Sequence, residues 1–372
     1  MVIGVDGLRL SGQRLGIGRY LEYLFKHWDT MLHADEQVVI YVPEPFDKDA
    51  LGLSDRFRVE VLASRLGGVP WEHAQLARRW REMDVLFGPS YTVPLNHRGR
   101  CVVATHSVNE AQSGTHPWWY HLTYRVRNQL CARKADAVIV PSQTTRTHVE
   151  QIYRVPAGRI HIVPEGVDAA FEPVQDETIL RKTREHYVGG DQPYILFVGK
   201  LSQRRNIPEL VRAFGNLKRE QGIPHKLLLY GPNVLGLPLD GLTSELGIED
   251  SVVQINEKLA DHKDIIPIYG AADLFVHPTA AEGFSLTIVE ALACGVPVIT
   301  VGRGAVGEIV DGAAITVADP TVDALTSAMR DVLGDPALQS SLRLKGPERA
   351  SHFRLEDTSR GTLEVLRQVA AA

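Results

Sequence analysis

Short apolar runs alternate with longer amphipathic stretches along the whole chain. The runs are VVIYV (38–42), VLF (85–87), VVATH (102–106), AVIVPS (137–142), YILFVG (194–199), KLLLYG (226–231), DLFVHP (273–278) and VPVITV (296–301). Runs of this length are typical of strands buried on both faces of a sheet. In the segment 207–222 the apolar residues recur at helical spacing and a glycine follows, which predicts a helix that ends at Gly222.

The order strand, helix, strand predicts an α/β fold in which helices cover both faces of parallel sheets. The 372 residues are too many for one compact core. The polar segment 171–192 separates two halves of similar pattern, so we predict a Rossmann-like domain at 1–170 and a second at 171–350. Ligands of such sheets bind beyond the carboxyl ends of the strands, and two facing domains of this kind would form a cleft.

Composition and charge argue against some classes of protein but do not identify a function. The net charge of −5 does not indicate general nucleic-acid binding. The first 170 residues carry a balance of +2 and the remainder −7, which leaves open a peripheral membrane contact of the first domain. Three cysteines without CxxC spacing predict buried, reduced thiols in a cytoplasmic protein. No segment has the ~20 apolar residues of a membrane span.

The segment HPTAAEGFSLTIVEALACGVPVIT (277–300) predicts a strand, a turn and a helix. Gly283, Phe284 and Ser285 would lie at the helix N-terminus, where unpaired backbone N–H groups favour a phosphate. Glu290 would lie roughly 7–8 Å further along, within reach of ribose hydroxyls. Glu282 would lie on the sugar side of the phosphates. The alternative is a helix cap at Glu282 and a solvated Glu290.

A second candidate segment, VGKLSQRRN (198–206), follows the strand YILFVG. Gly199 would end that strand, and Lys200, Arg204 and Arg205 would follow it in the loop. Cations at this edge of a sheet suit a leaving diphosphate, because they stabilise the charge that grows as the bond breaks. A solvated basic turn is the alternative.

The first half offers weaker candidates. Gly16 and Gly18 would allow a close backbone approach to a phosphate or sugar. His106 ends a predicted strand and could donate a hydrogen bond to a hydroxyl or to developing charge. Trp118 and Trp119 are candidates for packing on an acceptor sugar. The chain has no metal motif, since its one Asp-x-Asp, at 47–49, lies in a polar loop.

Six segments, taken in their order along the chain, resemble the retaining glycosyltransferases of family 4. They are GIGRY, THSVNE, AVIVPSQTTRTHV, VPEGVD, FVGKLSQRRN and the E-x7-E segment. The resemblance implies the GT-B fold, two facing Rossmann-like domains, with a C-terminal helix at 351–372 that crosses back to the first domain. The implied donor is a nucleotide-diphosphate sugar of the GDP-mannose or UDP-sugar type. The implied acceptor is a hydroxyl of a saccharide, a lipid-linked molecule or a small molecule.

The resemblance also implies roles for individual residues. Glu290 would bind the ribose, Glu282 would face the donor sugar, and the amides of Gly283, Phe284, Ser285 and Leu286 would hold the diphosphate. Arg204 and Arg205 match the basic pair of the family, and His106 matches its active-site histidine. Glu165 stands where asparagine is frequent.

By the same resemblance the reaction would need neither a metal nor another cofactor, and the leaving phosphate would accept the proton of the acceptor. Two other readings stay open: a nucleotide-sugar epimerase of the same fold, and a non-catalytic subunit that binds the nucleotide sugar.

Overall fold

The computed structural model describes residues 1–10, 17–64, 68–108, 118–257, 259–279 and 282–372. The chain divides into two compact units. Unit 1 comprises residues 1–166 and 355–372, and unit 2 comprises residues 167–354. The boundaries predicted from the sequence are 170/171 and 350/351, whereas those of the structure are 166/167 and 354/355. Residues 355–372 belong with unit 1.

Each unit contains one parallel sheet. The strands of unit 1 are β1 (Val2–Asp6), β2 (Gln37–Val42), β3 (Phe57–Val61), β4 (Val85–Gly88), β5 (Arg100–Ala104), β6 (Ala137–Val140) and β7 (Ile160–Ile162). The strands of unit 2 are β8 (Tyr194–Val198), β9 (Lys226–Tyr230), β10 (Val252–Ile255), β11 (Leu274–His277), β12 (Val298–Val301) and β13 (Ile315–Val317). The strand orders are 3-2-1-4-5-6-7 and 10-9-8-11-12-13. All paired strands run parallel.

Helices connect the strands. They are α1 (Ile17–Met31), α2 (Gly68–Ala74), α3 (Trp118–Lys134), α4 (Gln143–His148), α5 (Glu177–Val188), α6 (Ile207–Gln221), α7 (Leu239–Leu246), α8 (Ile266–Gly270), α9 (Leu286–Ala293), α10 (Gly304–Val310), α11 (Val322–Gly334), α12 (Pro336–Ala350) and α13 (Leu355–Ala371). Helix α6 ends at Gly222, whose φ of 60° is left-handed. The predicted helix and its cap are confirmed.

The central strands are buried on both faces, as their apolar runs predict. On β2, for example, Val38, Ile40 and Val42 join one apolar cluster of unit 1, while Val39 and Tyr41 join the cluster on the other face. Burial of each such side chain contributes about 1.5–3 kcal/mol. The three cysteines are free and buried, as predicted. The predicted α/β class with two doubly covered parallel sheets is confirmed.

Helix α13 completes unit 1 from the far end of the chain. It packs against α1, and the indole N–H of Trp28 donates a 2.9 Å hydrogen bond to the Ser359 carbonyl. Arg367 donates to both carboxylate oxygens of Glu36, at 2.9 and 2.6 Å. This guanidinium, opposed by burial, lowers the pKa of Glu36 to about 2. The last helix is therefore held by apolar packing and by a paired carboxylate.

Candidate functional site

The loop after β8 places Arg205 against the backbone of Gly199. Residues Gln203–Arg205 form a short 3-10 helix, and Asn206, with a left-handed φ of 52°, leads into α6. The side-chain amide of Asn206 donates a 2.7 Å hydrogen bond to the Pro278 carbonyl, which ties this loop to the end of β11. A Cβ at Gly199 would overlap the guanidinium of Arg205. The glycine that ends β8 therefore makes the space in which the arginine lies.

The same strand end requires a second glycine. Gly199 and Gly231 have φ values of 139° and 146°, a region that side chains rarely adopt. A Cβ at Gly231 would overlap the carbonyl oxygen of Gly199. The amide of Gly199 in turn donates a 2.9 Å hydrogen bond to the Tyr230 carbonyl. Two backbone segments thus pass in direct contact at the carboxyl edge of the unit 2 sheet.

Two arginines and a glutamate form an ion cluster beside this strand end. The Nη2 atoms of Arg204 and Arg205 lie 3.9 and 3.5 Å from Oε1 of Glu282. Burial lowers the pKa of Arg205, the Glu282 carboxylate opposes this, and the charge of Arg204 adds to the lowering. The charged guanidinium is therefore less stable here than in water, so a further anion beside it would be favourable. Lys200, in the same loop, is exposed.

The predicted helix N-terminus is confirmed at α9. Ser285 is its N-cap residue, with extended dihedral angles, and its side chain makes no capping hydrogen bond. Phe284 packs edge-to-face against Phe353, with ring centroids 5.7 Å apart, so its side chain belongs to the apolar core of unit 2. Leu286 is the first residue of the helix. Ser285 and Leu286 therefore lie at the N-terminus of α9, the end of a helix that favours an anion.

Glu290 lies in α9 and is buried, with 5% of its surface exposed. Its Oε1 lies 2.7 Å from Nε2 of His262, and its Oε2 accepts a 2.8 Å hydrogen bond from the hydroxyl of Tyr269. The alternative of a solvated Glu290 is therefore wrong. A carboxylate accepts about four hydrogen bonds, which leaves capacity for a ligand. His262 and Tyr269, 28 and 21 residues upstream, were not expected from the sequence.

His277, the last residue of β11, is a further buried group that the sequence did not single out. Its ring stacks on Phe197 and on Phe275, with centroids 5.9 and 6.0 Å away. Burial first, and then the charges of Arg205 and Arg204, lower the pKa of His277 to about 3. The ring is therefore neutral at physiological pH. Its Nε2 lies 3.4 Å from the hydroxyl of Ser285, so it contacts the α9 N-terminus.

In unit 1, His106 lies two residues after β5. Its Nδ1 is 2.6 Å from Oε1 of Glu165, and its Nε2 is 2.8 Å from the Pro89 carbonyl oxygen. The rings of Tyr20 and Tyr91 meet the imidazole edge-on, with centroids 5.2 and 5.6 Å away. Burial lowers the pKa of His106, but the hydrogen bond and charge of Glu165, with the Pro89 carbonyl, outweigh burial and raise it overall.

The remaining predicted residues of unit 1 are less informative. Gly18 is buried in the first turn of α1. Gly16 lies outside the described residues. Trp118 and Trp119 are the first residues of α3, and their side chains also lie outside the described part of the chain.

Within the described ranges, no three or more His, Cys, Asp or Glu side chains are grouped as metal ligands. The described helices include none that is long and apolar enough to span a membrane.

Two family matches together cover most of the chain. Residues 180–349 match the family described as glycosyl transferases group 1, and residues 15–171 match Glycosyltransferase Family 4. The chain belongs to the family 4 glycosyltransferases. The recognition from the E-x7-E segment and its companion motifs is thereby confirmed.

Similar proteins agree with this assignment. A D-inositol 3-phosphate glycosyltransferase of Kineococcus radiotolerans is 29% identical over 65% of this chain and 59% of its own length. A GDP-mannose-dependent alpha-(1-6)-phosphatidylinositol monomannoside mannosyltransferase of Mycolicibacterium smegmatis is 32% identical over 57% of this chain and 56% of its own length. These matches thus span somewhat more than half the length of the two relatives.

The solved structures show the fold. HepE of Anabaena, in complex with UDP and glucose, superposes with a TM-score of 0.79 at 18% identity, over 98% of this chain and 99% of that one. The family 4 glycosyltransferase described here therefore has the GT-B fold, as predicted.

Proposed function

We propose that the protein transfers a hexosyl unit from a nucleotide-diphosphate sugar to a hydroxyl group, with retention of anomeric configuration and without a metal ion. One arrangement in unit 2 carries the proposal. Arg204 and Arg205 of the loop after β8 lie 3.9 and 3.5 Å from Glu282, which shortly precedes the N-terminus of α9, and Glu290 follows about one turn along that helix. In that order they suit a diphosphate and the ribose attached to it.

The diphosphate is held by Arg204, Arg205 and the amides of Gly283 to Leu286. As the bond from the sugar to the phosphate breaks, negative charge grows on the leaving phosphate, and these groups stabilise that charge. The leaving phosphate then accepts the proton of the attacking hydroxyl, which enters on the same face of the sugar. Glu282 contacts the sugar rather than the nucleotide. Lys200 and His106 complete the proposed catalytic set.

The donor is of the GDP-mannose or UDP-sugar type. The Mycolicibacterium relative is named as dependent on GDP-mannose, and the Anabaena structure contains UDP and glucose. The same relative is named for a phosphatidylinositol monomannoside and the Kineococcus relative for D-inositol 3-phosphate, so the acceptor classes that the relatives support are a lipid-linked molecule and a small molecule.

Calorimetry with plain GDP, UDP, ADP and TDP tests the nucleotide half of the site. Glu290→Ala should weaken the preferred nucleotide by about 1.5–3 kcal/mol, the size of a charge-assisted hydrogen bond. Glu290→Gln keeps the volume beside His262 and Tyr269, and it should weaken binding without loss of folding. Glu282→Ala should spare plain nucleotide and weaken the intact donor.

The matched control is Glu249→Ala, which removes an exposed carboxylate of unit 2 ahead of β10. It should leave affinity unchanged. Equal affinity of wild type and both Glu290 variants would contradict the ribose assignment. The anomeric configuration of the product, read by NMR, tests retention, and incubation with donor alone separates a transferase from an epimerase.

We also propose that α3 contacts an anionic membrane surface. The helix carries Arg125, Arg127, Arg133 and Lys134 and has no acidic residue. Val126 and Leu130, one turn apart, are 44% and 46% exposed. Cations with exposed apolar side chains on one helix suit an anionic bilayer interface, where each cation contributes about 1 kcal/mol.

Co-sedimentation with vesicles of phosphatidylglycerol and phosphatidylcholine tests this contact. The pair Val126→Glu and Leu130→Glu should reduce binding to anionic vesicles at least tenfold. Val234 and Leu235 of unit 2 are exposed by 63% and 67%, and the same change there is the control. Equal loss in both double variants, or equal binding of wild type to neutral vesicles, would rule out α3 as the contact.

A further inference from the structure

His106 has two hydrogen-bond partners that both accept. The Glu165 carboxylate lies 2.6 Å from Nδ1, and the Pro89 carbonyl oxygen lies 2.8 Å from Nε2. A neutral imidazole has one N–H, so it can satisfy only one of these partners. The imidazolium has two N–H groups and can satisfy both. The positions of the two acceptors therefore select the charged ring.

Among the described residues, Glu165 is the charged group that contacts His106. From α1 the ring meets Tyr20, whose hydroxyl lies 3.5 Å from that of Thr362 on α13. From the loop after β4 it meets Tyr91. Burial, partly offset by the hydrogen bond to Thr362, raises the pKa of Tyr20 above its ordinary value, so this hydroxyl is uncharged. The charge that faces the ring is that of Glu165, from the segment after β7.

We propose that Glu165 is a positioning residue for His106: it fixes the orientation of the ring by holding it as an imidazolium that donates from both nitrogens. The ring is then a fixed cation at the carboxyl end of β5. It cannot turn toward another acceptor without leaving the carboxylate or the carbonyl. Its importance for glycosyl transfer rests on the proposed function, whereas its charge and orientation do not.

The alternative charge states explain why the carboxylate is needed. If Nδ1 lost its proton, its lone pair would face the Glu165 carboxylate across 2.6 Å. If Nε2 lost its proton, the Pro89 carbonyl would lose its donor. Each neutral form therefore places two acceptors against each other, which agrees with the raised pKa of His106. A shorter, neutral asparagine at position 165 would provide neither the charge nor the same reach.

Nitrogen NMR of the full-length protein, with 15N-labelled histidine, tests the charge directly. His106→Gln assigns the signal. In the wild type at pH 7 both ring nitrogens should have the shifts of a protonated ring. In Glu165→Gln the apparent pKa should fall by at least one unit, and one nitrogen should be unprotonated at pH 7. Glu165→Asp, which keeps the charge on a shorter side chain, should fall between the two.

The control is Glu82→Gln, which removes a half-exposed carboxylate paired with Arg79 in the same unit. It should leave the His106 titration unchanged. A neutral His106 in the wild type at pH 7, or an equal titration in wild type and Glu165→Gln, would overturn the inference.

A kinetic measurement adds a second readout. If transfer uses the charged ring, kcat should fall on the alkaline side with a midpoint that follows the titration of His106. That midpoint should move to lower pH in Glu165→Gln, with little change in KM for the donor. An unshifted alkaline limb would contradict a part for this charge in transfer. Absence of any transfer in the wild type would contradict the proposed function alone, because the NMR titration still decides whether Glu165 holds the ring charged.

Discussion

Two histidines at strand ends, one in each unit, have opposite charge states. His106 follows β5 in unit 1 and His277 ends β11 in unit 2. Both are largely buried, and burial disfavours the charge of both. Glu165 overcomes this effect at His106 and raises the pKa, whereas Arg205 and Arg204 reinforce it at His277 and lower the pKa to about 3.

The difference shows that neighbours, and not residue type or burial, determine which histidine carries charge. In unit 2 the neutral ring leaves the arginines as the cations of the surface that we propose for the diphosphate. In unit 1 the charge of the ring is already paired with a carboxylate. The cluster in unit 2 has two arginines against one carboxylate and so favours a further anion, whereas the pair at His106 in unit 1 is balanced.

Substitution of lysine for each of the two histidines should reveal the difference between their sites most clearly. His277→Lys places a cation in a buried site between two phenylalanines and near two arginines. It should destabilise the protein by about 3–5 kcal/mol, as an unpaired buried charge does. His106→Lys keeps a carboxylate beside the new cation and should cost roughly 1–2 kcal/mol. Urea unfolding with hydrogen exchange at β5 and β11 measures the two effects separately.

Tryptophan fluorescence offers a check on which unit unfolds. All five tryptophans, at 28, 71, 80, 118 and 119, lie in unit 1. The fluorescence transition should therefore move with His106→Lys, while hydrogen exchange at β11 should respond to His277→Lys. Equal losses for the two variants would contradict the opposite electrostatics of the two sites.

Removal of the main cation should affect the chemistry most. Arg205→Ala should lower turnover at least ~100-fold, about 2.7 kcal/mol of barrier, with a smaller change in donor affinity. His277 should stay neutral in this variant, because burial is the larger cause of its lowered pKa. Arg330→Ala, which breaks a surface ion pair with Glu220, is the control. Near-normal turnover in Arg205→Ala would show that this loop does not contribute to the chemical step.

The two histidines should also make the free energy of unfolding depend on pH in opposite directions. The lowered pKa of His277 means that the unfolded chain binds a proton below pH 6.5 while the folded chain does not until about pH 3. Stability should therefore fall as pH drops from 6.5, by up to about 1.4 kcal/mol per pH unit. The raised pKa of His106 means that its contribution is complete below pH 6.5 and is lost as pH rises through the folded value.

Urea titrations between pH 5 and 9 measure both slopes, above the range in which most carboxylates titrate. Burial also lowers the pKa of His97 and of His161, and it raises the pKa of the three cysteines, so these groups add to the acid and alkaline slopes respectively. His277→Gln should therefore reduce the acid slope and spare the alkaline one, and His106→Gln should do the reverse. Slopes that are identical in wild type and both variants would show that neither histidine contributes to them.

The smallest expected effect is that of a chelator. Because the arginines and the α9 N-terminus take up the diphosphate charge in our proposal, turnover should be unchanged in EDTA. Turnover that disappears in EDTA and returns with Mg²⁺ or Mn²⁺ would show that a metal shares this charge.

Local patterns predicted most of the fold. The apolar run of each central strand, such as YILFVG for β8, predicts a strand that is buried on both faces. The glycine at position 222 predicts the end of α6. The four edge strands, β3, β7, β10 and β13, were not predicted, since their residues are only partly buried and their pattern is weaker.

The sites were predictable only where neighbours in sequence are neighbours in space. Gly199 and Arg205 lie within one loop, so their proximity follows from the motif. Glu165 is 59 residues from His106, and His262 is 28 residues from Glu290. The sequence showed that position 165 departs from the family pattern, but only the sheet topology shows which histidine the departure affects.

The position of α13 has a consequence for biogenesis. Ribosomes release a chain from its first residue, so residues 1–166 emerge before the 188 residues of unit 2 (167–354), and α13 emerges last. Until then the nascent unit 1 lacks the partner of Trp28 and the cation that pairs with Glu36. Unit 2, although translated later, is the first to have all of its parts. A nonsense codon near position 355 would therefore damage unit 1, which is translated before unit 2, and leave unit 2 intact.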